Sequence, residues 1–143
     1  MNSPILAASE NDPPHKTILI VDDDDAVRRG LRCVLVTEGY HVIPASNGRE
    51  AVRAFREQPC DLALLDMNMP LLNGWGTIAE LRALDGRLPV IIITARPDQR
   101  NIAAAAEVEL MEKPLDLPLL LKRISTLLSE TKHVVSALPT SSL

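Results

Sequence analysis

Two runs in this chain, 61–65 and 89–93, are apolar almost without a break. A strand of that kind has no face to turn to water, so both faces must be covered, as in the centre of a parallel sheet layered by helices. Three more strand-like segments, 17–21, 41–45 and 108–112, alternate with helix-like ones, giving five alternations in all. That is the pattern of an α/β protein with a doubly wound, five-stranded parallel sheet. Pro44 has no N–H for a ladder, and Glu109 and Glu112 resist burial, so 41–45 and 108–112 are expected at the edges. The strand order that satisfies this is 2-1-3-4-5.

The helical segments carry their own punctuation. The first, about 25–38, places Val27, Leu31, Val34 and Leu35 on one face, with Asp25 as expected N-cap and Gly39 just past its end. Asn47 and Glu50 resemble a capping box opening a second helix that turns Ala51, Ala54 and Phe55 inward, closed by Gln58-Pro59. A third helix is expected from near Gly74, burying Trp75, Ile78 and Leu81, and a short alanine-rich fourth over 98–106. The last starts with Asp116 as N-cap and lays Leu117, Leu120, Leu121, Ile124 and Leu128 along a stripe, ending near 129. Residues 1–15 and 130–143 read as flexible tails around a domain at 16–129.

With 46% hydrophobic residues in 143, one domain can bury a proper core, and with a single Trp, Tyr and Phe that core is aliphatic. The net charge of −4 argues against a nucleic-acid partner, which would call for clustered Lys and Arg. No stretch approaches the roughly 18 apolar residues of a membrane span, so a cytoplasmic protein without a membrane partner is expected. Cys33 and Cys60 have neither metal spacing nor a disulfide framework. His15, His41 and His133 show no ligand pattern, and no glycine-rich loop suggests a nucleotide.

In an open parallel sheet the working crevice lies at the carboxyl ends of the strands, where the order reverses. Strand one ends on Asp22-Asp23, strand three on Asp66, strand four on Thr94, and strand five just before Lys113. Several carboxylates gathered there repel one another unless a cation joins them, which points to Mg²⁺ and a phosphoryl group. Asp66 is the expected nucleophile, Lys113 a fixed positive charge for a phosphoryl oxygen, and Thr94 a short hydroxyl donor.

The segments Ile18-Leu19-Ile20-Val21-Asp22-Asp23, Leu64-Leu65-Asp66-Met67-Asn68-Met69-Pro70, Asn73-Gly74, Pro89 to Ala95 and Glu112-Lys113-Pro114 resemble the receiver domain of bacterial two-component response regulators. The likeness covers about residues 16–129 and implies a flavodoxin-like fold. It makes Asp66 the phosphoacceptor, Asp23 a direct Mg²⁺ ligand, Asp22 a ligand acting through water, and Asn68 a ligand through its carbonyl. Thr94 and Lys113 keep the roles above, and the Lys113-Pro114 peptide is expected to be cis. Asp24 and Asp25 fall outside the pattern, as solvated cap residues. The donor is expected to be a sensor histidine kinase or histidine phosphotransfer protein, and the output a contact with an unknown protein target, from a monomer or weak dimer.

Leu110 stands where the family commonly has a Tyr or Phe, the stretch from Thr94 to Lys113 is a few residues short, and Ala106-Glu107-Val108 replaces the usual Gly-Ala. Asn68 and Arg96 are expected to tune the lifetime of the phosphoryl group. No output domain is expected after the last helix. Two other readings compete. A haloacid-dehalogenase-like phosphohydrolase would use Asp22 as nucleophile, although Ala26 is wrong for that motif; a degenerate receiver would act only as a scaffold.

Overall fold

The computed structural model describes residues 15–67, 71–95 and 100–141, and of 71–73, 101 and 131–141 the backbone alone. The elements run β1 (Thr17–Val21), α1 (Asp25–Thr37), β2 (His41–Ala45), α2 (Gly48–Glu57), β3 (Leu62–Asp66), α3 (Leu71–Leu84), β4 (Val90–Thr94), α4 (Arg100–Ala105), β5 (Glu109–Glu112) and α5 (Leu117–Ser141). The five strands form one parallel sheet in the order β2-β1-β3-β4-β5, as expected, with the Pro44 and Glu109/Glu112 strands at its edges.

Alternation along each strand sorts the core into two layers. Leu19, Val21, Ala63, Leu65, Val90 and Ile92 face α2 and α3 and meet Ala51, Phe55, Ile78 and Leu81. Ile18, Ile20, Leu62, Leu64, Ile91 and Ile93 face the opposite way and meet Leu31 and Leu35 of α1 and Leu120, Ile124 and Leu128 of α5. All twelve strand residues are buried, which is why 62–65 and 90–93 can dispense with polar positions.

Local chemistry sets the helix ends, not always where the spacing suggested. Asp24, not Asp25, caps α1, its carboxylate accepting from the N–H groups of Ala26 and Val27, so the turn begins one residue earlier. Val27 is exposed and adds nothing to the core face. The α1 helix closes on Gly39 at φ 98°, with Gly39 N–H donating to Val36 O and Tyr40 N–H to Leu35 O. Asn47 does cap α2 through Glu50 N–H, while the Glu50 carboxylate reaches back to Ser46, one residue beyond the expected partner.

α3 starts at Leu71 rather than near Gly74. Gly74 is a packing glycine, because a Cβ there would collide with the Met67 sulfur. Asp116 caps α5 through Leu119 N–H, and the helix continues to Ser141, past 129, since Pro118 sits in its first turn and no glycine or proline lies between it and Pro139. Among the described residues no helix is long and apolar enough to cross a membrane.

Candidate functional site

Register brings the site residues together. Val21 of β1 pairs with Leu65 of β3, so the next residues, Asp22 and Asp66, stand side by side at the carboxyl edge. Asp66 pairs with Ile93, placing Thr94 one step beyond it on β4. Thr94 in turn pairs with Glu112, and its carbonyl accepts from Lys113 N–H at 2.9 Å. Four strands thus deliver Asp22, Asp66, Thr94 and Lys113 to one edge from distant points in the sequence.

Asp22, Asp66 and Thr94 are all buried, with Asp66 only 3% exposed. Lys113 Nζ donates to Asp66 Oδ1 at 3.1 Å and Oδ2 at 2.9 Å, so the buried carboxylate is held by an ammonium. The Lys113-Pro114 peptide is cis, as the family pattern implies.

Asp22 is less well compensated. Its Oδ1 accepts from Asp24 N–H at 2.9 Å, but Oδ2 is buried without a donor among the described residues. Burial pushes the Asp22 carboxyl up to about 6, and the neighbouring Asp66 pushes the same way, against the opposing pull of the Asp24 amide and of Lys113. The two carboxylates can share a hydrogen bond only if one is protonated; with both ionised they repel across a low-dielectric crevice.

That arrangement fits a divalent cation. A buried carboxylate oxygen with no donor, beside a second carboxylate, is the hard oxygen chemistry that Mg²⁺ takes. Asp23, the other expected ligand, lies exposed at the rim. Among the described residues no three His, Cys, Asp or Glu side chains stand close enough together to hold a metal by themselves. Asn68 and Arg96 lie outside the described residues.

One residue at the site went unnoticed in the sequence. Arg28 Nη1 donates to the Asp22 carbonyl at 2.6 Å, and its guanidinium also pairs with Asp25, tying the loop after β1 to the first turn of α1. An arginine three residues after the acidic run was the available signal. Leu110, in place of the family's aromatic residue, is partly buried and packs against the core layer that includes Ala103 and Val108.

The family model of the response regulator receiver domain matches residues 18–134. The chain belongs to that family. Among curated relatives, the receiver domain resembles response regulator RR06 of Streptococcus pneumoniae, at 34% identity over 78% of this chain and 52% of that protein. The transcriptional regulatory protein PrrA of Mycobacterium tuberculosis is 36% identical, over 78% of this chain and 49% of its own. The chain therefore spans about half the length of these relatives.

Solved structures agree. A CheY-like receiver domain protein from Methanospirillum hungatei superposes with a TM-score of 0.77 at 27% identity, covering 84% of this chain and 98% of that one. TrrA of Thermotoga maritima, solved in complex with Mg²⁺ and BeF, gives 0.71 at 32% identity over 78% of this chain and 98% of its own. The receiver domain is a signalling module of two-component systems, and nothing in these comparisons favours a haloacid-dehalogenase-like hydrolase.

Proposed function

We propose that Asp66 is the phosphoacceptor, taking its phosphoryl group from a histidine of a sensor kinase or phosphotransfer protein in a Mg²⁺-dependent reaction. The observation that carries this reading is the buried Asp66 carboxylate held by Lys113 beside the incompletely satisfied Asp22. An Asp66 oxygen attacks phosphorus, an O–P bond forms as the donor's N–P bond breaks, and the histidine leaves with the electron pair. Lys113, already beside both oxygens, stays to neutralise the phosphoryl group, and the Thr94 hydroxyl donates to one of its oxygens.

Asp22, Asp66 and, from the rim, Asp23 would hold Mg²⁺, with the Asn68 carbonyl completing the proposed set. Bound there, the cation would offset charge on the phosphoryl oxygens. The phosphoryl group adds about two negative charges, which shift a balance between two conformations of the surface around Thr94, α4 and β5. Output then passes to a protein target, from a monomer or weak dimer in the cytoplasm, and the domain's own catalysis is confined to gaining and losing the phosphoryl group. The body that does this is 16–129.

The test is intact mass after incubation with phosphoramidate or acetyl phosphate. A single phosphoryl adduct that needs Mg²⁺ and is absent in Asp66→Asn supports the reading. An adduct that persists in Asp66→Asn, or none in wild type, overturns it, the latter in favour of a scaffold without phosphorylation.

A further inference from the structure

The groove between α2 and α3 is lined by three arginines and one glutamate. It encloses about 770 Å³, and Arg49, Arg53 and Arg56 line it from α2, with Gly76 and Glu80 opposite on α3. The three arginines recur at four and three residues, so they form one stripe about 10 Å long on a single helix face. Their side chains are exposed, and among the described residues none of them makes an ion pair.

Like charges at that spacing repel, so the stripe is unfavourable to the isolated helix. It also stands in a chain with 19 acidic against 15 basic side chains. The carboxylates on the same helix offset it only in part: Glu50 feels the Arg53 charge, but its Oε1 is engaged by the N–H and hydroxyl of Ser46, and Glu57 makes no ion pair with the stripe. The far wall is low, since no atom lies within 4 Å of where a Cβ on Gly76 would stand, leaving room for a bulky occupant.

The geometry points to a docking surface for an acidic helix of a partner protein, with carboxylates at matching three- and four-residue spacing. Each guanidinium can take one carboxylate through paired N–H donors. A small anion would reach only part of a stripe about 10 Å long, whereas a helix with carboxylates at the same spacing meets all three guanidinium groups. The surface is separate from the Asp66 crevice and does not depend on phosphorylation.

The test titrates the isotope-labelled full chain by NMR with three probes. These are a 14-residue helical peptide with glutamates along one stripe, a peptide of the same composition with them dispersed, and a single-stranded oligothymidylate. The striped peptide is expected to bind at least tenfold more tightly than the dispersed one, with shifts centred on 48–57 and 76–80 and affinity falling as salt rises. Arg53→Gln, and Arg49→Gln with Arg56→Gln, should each reduce that affinity about tenfold while Asp66 is phosphorylated at the wild-type rate, which keeps this result distinct from the phosphoacceptor assay. Equal affinity for both peptides, shifts centred elsewhere, indifference to the arginine substitutions, or tighter binding of the oligothymidylate would overturn the assignment.

Discussion

Lys113 Nζ lies 2.9 Å from Asp66 Oδ2 and 3.1 Å from Oδ1, joining the end of β5 to the end of β3. Replacing Lys113 by Met leaves Asp66 buried beside Asp22 with no ammonium between them and the rest of the crevice. Breaking a buried pair from one side commonly costs about 3–5 kcal/mol, and because the Lys113 side chain is 28% exposed the lower half of that range or less is expected. Urea unfolding without metal measures it; unchanged stability would mean the pair contributes nothing.

Asp22 gives the pH dependence its sign. Its carboxyl sits near 6 in the folded protein against 3.8 as a free side chain, so the folded state binds the proton more tightly. The Asp22 contribution therefore favours folding at low pH and is lost as pH rises through about 6. In Asp22→Asn that loss disappears: the variant should gain on wild type between pH 4 and 7, by up to about 3 kcal/mol from a shift of about two units. Melting curves at several pH values without divalent cation check this, and a parallel pH dependence in the two proteins would refute it.

Mg²⁺ should offset most of that difference. A cation that binds only the folded protein stabilises it by about 2.7 kcal/mol at a hundred times its dissociation constant. The melting temperature of wild type is expected to rise with Mg²⁺, and those of Asp22→Asn and Asp66→Asn to rise less. Equal rises in all three would place the cation elsewhere.

Glu107 adopts φ 57°, and Glu107 N–H and Val108 N–H close the end of α4 on Ala104 O and Ala103 O. This is the closure that Gly39 makes after α1, here with a residue whose Cβ opposes it. Glu107→Gly should stabilise the fold by about 1 kcal/mol. Arg82 holds the same junction, donating to Leu88 O at 2.8 Å and to Ala106 O and Glu107 O at 2.9 Å. Arg82→Ala should cost about 2 kcal/mol or more and raise amide exchange at the start of β5, measured by hydrogen exchange.

The cysteines separate by environment. Cys33 is exposed, whereas Cys60 is buried and burial pushes its thiol up to about 12. Iodoacetamide at pH 8 should add one group to the native protein, at Cys33, and two in denaturant. Labelling of Cys60 under native conditions would mean that the layer around Leu19 and Phe55 opens readily.

The five strands could be read from their apolar runs because period-two patterning records which faces are buried, and Pro44 and the β5 glutamates recorded the edges. Helix starts were harder. Asp24 and Asp25 are chemically equal candidates for the α1 cap, and only the backbone path chose Asp24. Gly74 signals a break in the sequence but answers to Met67, a contact made across the fold. Arg82 was invisible for the same reason, since it donates to backbone carbonyls, which have no residue identity to read, and Arg28 left only its spacing from the acidic run as a signal.

The order of segments along the chain determined the sheet, its edges, and which side chains reach its carboxyl rim, because burial and backbone geometry act locally on residue types. Tertiary structure alone decided how those side chains meet: Lys113 on Asp66, Asp22 left with one oxygen lacking a donor, and three arginines facing one groove. Hydrogen bonding, desolvation and charge repulsion depend on separations of a few ångströms between distant segments, and those separations exist only once the strands have paired.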